Sequence, residues 1–107
     1  MENSRIEPYL KVMAQQGASD LFFITGAPVS IKINGRVQPL GQALLEPGQV
    51  EQIAREIMSP AQNESLDRTH SANFGVSRAG VGRFRINVYR QRGEVAMVLR
   101  FIRLEIP

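Results

Sequence analysis

Apolar residues at Ile6, Tyr9, Leu10 and Met13 recur at helical spacing, which predicts a helix over residues 5–16. Ser4 and Glu7 read as a capping box at its start, and Gly17 as the stop after its last turn. The run Leu21-Phe22-Phe23-Ile24 then predicts a short strand closed by Gly26 and Pro28. Val29, Ile31 and Ile33 alternate with polar neighbours up to Asn34-Gly35, a dipeptide that favours a two-residue hairpin turn. The return strand, Arg36 to Leu40, contains Pro39 and is therefore expected at a sheet edge.

Pro47 opens a second helical pattern with Val50, Ile53, Ala54 and Ile57 on one face. Ser59-Pro60-Ala61-Gln62 starts a third helix with an N-cap serine, a proline at the first position and a capping-box glutamine. From Ser71 the period becomes two. Phe74 and Val76 lead to a turn at Ala79-Gly80, then alternating runs from Val81 to Gln91 and from Glu94 to Arg103 flank Arg92-Gly93. Helix, strands, two helices and a closing meander describe one α+β domain, an antiparallel sheet with helices packed on one face.

The sequence of 107 residues suits one core and no second domain. Its 43% hydrophobic and 21% charged fractions exclude disordered, collagen-like and coiled-coil classes. No cysteine is present, so disulfides, thiolate nucleophiles and cysteine-ligated zinc are excluded. No apolar run approaches a membrane span in length. The net charge of +3 is unevenly distributed: residues 1–67 hold five basic and eight acidic side chains, whereas residues 68–107 hold eight arginines against Glu94 and Glu105. A cluster made only of arginine, a planar fork of donors, suits recognition of phosphate or carboxylate.

Motifs of a self-contained catalyst are missing. The chain has no phosphate loop, no His-Glu-x-x-His and no Gly-x-Ser-x-Gly. His70 is the only histidine, with no second ligand beside it, so it reads as a surface or turn residue and no metal site is expected. Gly80-Val81-Gly82 lies between two strand patterns and reads as a hairpin turn, and Gly17-Ala18-Ser19-Asp20 as a structural corner whose side chains bond nearby backbone. Aromatic and arginine residues interleave from Arg83 to Arg90 as in some RNA-binding strands. Phe84, however, is in phase with Ile86 and Val88 and is expected in the core, so no nucleic-acid partner is expected.

If Arg92-Gly93 is a two-residue turn, Gln91 faces Glu94 and Arg85 lies directly opposite Arg100. Phe84, Ile86, Val88, Val95, Met97, Leu99 and Phe101 then share the other face, and a slip of one residue would bury the arginines. Two opposed like charges destabilise a strand pair. A bound anion or acidic partner removes that cost, and so would an intramolecular carboxylate such as Asp20 or Glu56. Arg83 extends the row, and Arg90 and Arg92 flank the turn as supporting cations.

Four segments resemble one family in the right order over nearly the whole chain: Gly17-Ala18-Ser19-Asp20-Leu21-Phe22, Gly26-Ala27-Pro28, Lys32-Ile33-Asn34-Gly35-Arg36-Val37, and Gly82-Arg83-Phe84-Arg85-Ile86-Asn87 continuing to Gln91-Arg92-Gly93 and Val98-Leu99-Arg100. The chain resembles the N-terminal domain of the PilT/PilU family, twitching-motility ATPases of the bacterial type IV pilus related to secretion ATPases. Phe22, where the PilT branch usually has histidine, and the ending from Ile102 to Pro107 are more similar to the PilU branch.

The resemblance implies a PAS-like domain followed, after a linker beginning near Pro107, by a RecA-like core with the phosphate loop. It also implies a cytoplasmic homo-hexamer at the inner-membrane pilus machine that uses ATP and Mg²⁺. In such relatives arginines of this domain reach the nucleotide phosphates, and the matching positions here are Arg85 and Arg100. The expected role is therefore to supply arginines and inter-subunit contacts to a pilus retraction ATPase, with no catalysis or cofactor in this stretch of chain alone. The alternative is a free-standing PAS-like domain that senses a small ligand on its sheet face.

Overall fold

The computed structural model describes residues 4–102. The element order is α1 (Glu7–Gln16), β1 (Asp20–Phe23), β2 (Ser30–Ile33), β3 (Arg36–Pro39), α2 (Gln49–Ile57), α3 (Pro60–Thr69), β4 (Ser71–Arg78), β5 (Gly82–Gln91) and β6 (Glu94–Ile102). The strands form one six-stranded sheet in the order β3-β2-β1-β6-β5-β4, and every pair is antiparallel. Three helices cover one face, giving the expected α+β, PAS-like architecture. Two three-stranded meanders, β1-β2-β3 and β4-β5-β6, are joined through β1 and β6 in the middle of the sheet.

Local chemistry explains most of the element boundaries. Both two-residue hairpins place their central residues in the left-handed region, Asn34 at φ 51° with Gly35 at 79°, and Arg92 at φ 53° with Gly93 at 81°. That geometry matches the twist of the flanking strands. The capping box of α3 forms as read, with Ser59 Oγ accepting from Gln62 N and Gln62 Oε1 accepting from Ser59 N. His70 ends that helix in a left-handed conformation at φ 68°, which agrees with its reading as a turn residue.

The expected capping box of α1 does not form. The helix begins at Glu7, Ile6 occupies the N-cap with helical backbone, and Pro8 sits in the first turn. Glu7 instead accepts from Arg78 Nε at 3.0 Å and from Arg78 Nη2 at 2.8 Å, so its carboxylate is committed to the end of β4 rather than to a backbone N–H. Similarly, α2 begins at Gln49 after Gly48 rather than directly at Pro47. Strand β6 ends at Ile102 among the described residues, and Arg103 lies outside them.

The core lies between the sheet and the helices. Leu21, Phe23, Ile31, Phe84, Ile86, Val88, Met97 and Leu99 are buried against Ile6, Leu10 and Met13 of the α1 segment, Val50, Ile53 and Ala54 of α2, and Leu66 of α3. Tyr9 meets Phe23 edge-on at a ring separation of 5.1 Å, a geometry favoured by the aromatic quadrupole. Ion pairs ring this core: Arg5 holds Glu56 at 2.7 Å, and Arg55 bridges Glu51 at 3.0 Å and Asp67 at 2.8 Å.

Two outcomes are expected. Gly82 has φ 148°, and a Cβ there would overlap the ring of Phe101, which packs on Phe84. Gly82→Ala should therefore cost about 1–3 kcal/mol, read as a lower urea midpoint. Hydrogen bonds from Arg78 hold the Glu7 carboxyl below its ordinary value of 4.5. The pair's stabilisation is then fully present above about pH 4.5 and lost as pH falls through the lower folded-state value. Glu7→Gln should be less stable than the parent at pH 7, and urea titrations at successively lower pH should show that gap narrowing as Glu7 becomes protonated.

Candidate functional site

The face of the sheet away from the helices carries the candidate site. Strands β5 and β6 pair Gln91 with Glu94 and Arg85 with Arg100, in the register expected from the Arg92-Gly93 turn. The same parity sends Phe84, Ile86, Val88, Val95, Met97 and Leu99 into the core, where each is 1% exposed or less. Burial of that layer fixes the register, because a shift of one residue would exchange the two faces.

Neighbouring strands continue the row. Arg100 also lies opposite Asp20 of β1, and Asp20 opposite Lys32 of β2. Lys32, Asp20, Arg100 and Arg85 thus form a line across four adjacent strands, three cations and one carboxylate. Asp20 Oδ2 lies 3.4 Å from Arg100 Nε, with the Asp20 side chain 10% exposed and that of Arg100 71% exposed. Of the two carboxylates considered as internal partners, Asp20 is therefore in contact with the pair, through Arg100 alone. Glu56 is occupied by Arg5 on the helix side. Among the described residues the Arg85 side chain makes no hydrogen bond or ion pair.

A hollow of about 510 Å³ opens beside the arginines, lined by Asn73, Arg85, Asn87, Tyr89, Val98 and Arg100. Its polar wall follows from cross-strand pairing, since Asn73 faces Asn87 and Gly75 faces Arg85. Glycine at position 75 leaves the guanidinium of Arg85 without a side chain directly opposite on β4. The arrangement offers two forks of N–H donors beside amide groups, which suits an anion with oxygen acceptors.

The other candidate arginines divide between the two faces. Arg83 shares the outward face, one step along β5, opposite Ser77 and Ile102. Arg90 does not join them. Its parity turns it to the helix side, 3.5 Å from Glu51 and 3.8 Å from Asp67. There it completes a network with Arg55, which donates to Glu51, Asn63 and Asp67. Arg92 occupies the exposed turn. The Gly17–Asp20 corner also differs in detail from its reading: Ser19 Oγ donates to the Lys32 carbonyl at 3.4 Å, and Asp20 turns to Arg100.

Nothing in the sequence alone marks Lys32, Asn73, Asn87 or Tyr89 as part of this site. The Asn34-Gly35 hairpin signals where Lys32 stands relative to its neighbours on β3, but its closeness to Asp20 depends on the β1–β2 register. Arg85→Thr in this chain should raise stability by a few tenths to about 1 kcal/mol, because it removes one of two opposed like charges. Melting temperature at low and high salt checks this, with the gain shrinking as salt screens the pair.

Comparison with known proteins agrees with this architecture. No family model matches the chain. It is 41% identical over 101 residues to the type IV pilus ATPase PilU of Pseudomonas aeruginosa, covering 94% of this chain and 26% of that protein. It is 33% identical over 97 residues to the type IV pilus retraction ATPase PilT of the same organism, covering 91% of this chain and 28% of that protein. The chain thus spans about a quarter of the length of the curated relatives it matches. The crystal structure of the pilus retraction motor PilT with bound ADP superposes with a TM-score of 0.85 at 34% identity, over 97% of this chain and 30% of the other. The ATPase DotB of Legionella pneumophila shares the fold, with a TM-score of 0.71 at 21% identity over 91% of this chain and 29% of the other.

Proposed function

We propose that this chain, which belongs to the PilT/PilU family as a counterpart of its N-terminal domain, acts within a pilus retraction ATPase by presenting Arg85 and Arg100 to nucleotide phosphates. The observation that carries the reading is the side-by-side placement of these two arginines on the exposed sheet face of a domain whose relatives are ATPases. In this chain two like charges stand directly opposed, at a cost in strand stability that an incoming anion would offset.

The chain's own residues fit one part of a nucleotide site. Arg85 and Arg100 supply donors to phosphate oxygens, Arg83 adds positive potential beside them, and no phosphate loop is present in the sequence. ATP and Mg²⁺ would be held chiefly by a RecA-like domain following this one, or by that of a neighbouring subunit in a hexameric ring. Guanidinium groups in such a position stabilise charge that develops on the transferred phosphoryl group. No helix among the described residues is long and apolar enough to cross a membrane, and the proposed setting is the cytoplasmic side of the inner-membrane pilus machine.

Arg85→Ala in the full-length protein should lower ATP turnover on the order of 10²-fold without lowering the melting temperature. Arg100→Ala should lower turnover comparably and also cost about 1–3 kcal/mol in stability, because it strips the mostly buried Asp20 of its partner. Steady-state hydrolysis alongside thermal melts measures both. Normal turnover in the two variants would sink the assignment.

A further inference from the structure

Asp20 and Ser4 are the buried polar residues among the described part of the chain, and only Asp20 stands in the arginine row. Its backbone neighbourhood is held from both sides. Ser19 N–H donates to the Lys32 carbonyl at 2.9 Å, and Phe101 N–H donates to the Ser19 carbonyl at 3.0 Å. A short carboxylate on so fixed a backbone has few ways to move. It meets Arg100 at Nε, 3.4 Å away, and this contact takes the inner edge of the guanidinium. The two terminal nitrogens remain available on a side chain that is 71% exposed. Arg85 is not drawn into this contact, so three cations still outnumber the single carboxylate along the row.

We infer that Asp20 is a positioning residue for Arg100: it holds the guanidinium by Nε and turns the paired terminal nitrogens toward the incoming phosphate. The inference rests on the phosphate-contact reading of Arg85 and Arg100. A long arginine side chain loses rotamer freedom when it binds, and a partner that orders it beforehand removes part of that cost at the moment of binding. Aspartate suits the task better than glutamate, because the buried carboxylate must reach only to the neighbouring strand. Neutralising the arginines is the competing role, and the geometry does not match it, since Arg85 is left without a carboxylate.

Asp20→Asn keeps the size and removes the charge. In nitrogen-proton spectra of the 107-residue chain, the Arg100 Nε–Hε signal, assigned by its loss in Arg100→Lys, should stand apart from the exposed arginines and merge with them in Asp20→Asn. In the full-length ATPase the same change should lower kcat by about tenfold, as loss of an orienting partner does, with a smaller effect on KM. Adding Asp20→Asn to Arg100→Ala should cost nothing further, because the two act as a unit. Asp20→Glu, which keeps the charge on a longer arm, should recover part of kcat and serves as the test if Asp20→Asn does not fold. An unchanged Arg100 signal, or an unchanged kcat despite a lost signal, overturns the positioning role while a defective Arg100→Ala leaves the phosphate reading intact. Normal turnover in Arg85→Ala and Arg100→Ala overturns both.

Discussion

The pairing of β1 with β6 is the contact on which the rest of the molecule depends. Without it the chain would be two separate meanders, each with an exposed edge and half a core. With it, Leu21 and Phe23 of β1 share one buried layer with Met97 and Leu99 of β6, and the helices close over a continuous surface. The same pairing sets Asp20 beside Arg100, residues separated by 80 positions in the chain. One non-local register therefore builds both the core and the charged row. Closing so long a loop carries an entropic cost that only the assembled core offsets.

The two faces of the sheet treat arginine differently. On the helix side, Arg5, Arg55, Arg78 and Arg90 each find carboxylates; Arg78 and Arg90 tie α1, α2 and α3 to the strands, and Arg5 and Arg55 join the helical segments to one another. On the outward side, Arg85 and Arg83 have no such partner among the described residues, and Arg100 has one buried carboxylate at its inner edge. Surface ion pairs contribute little individually, so the contrast matters less for stability than for electrostatics. Positive charge is neutralised where the domain is packed and left open where another molecule can approach.

Much of this was legible in the chain. The Asn34-Gly35 and Arg92-Gly93 turns, the Ser59/Gln62 capping box and the edge position of the strand with Pro39 are all local, and each has a backbone reason that acts within a few residues. The opposition of Arg85 and Arg100 was legible for the same reason, since a two-residue turn dictates every pair along its hairpin. Recognition of the family rested on motifs spread over these same elements. Where the reading failed, a distant partner had outcompeted a local one. Glu7 left its backbone cap for Arg78, and Arg90 turned from the arginine group to Glu51 and Asp67.

The sequence by itself determined the elements, the hairpin registers and the phase that separates core from charged face, because those follow from backbone geometry and from the period of apolar residues. Which strands adjoin across the centre of the sheet was decided only by tertiary structure, and with it the choice of Asp20 over Glu56 as the carboxylate beside Arg100. Both acids were compatible with the local pattern. Only the packed sheet, by burying one of them next to β6 and leaving the other at the helix surface, could distinguish them.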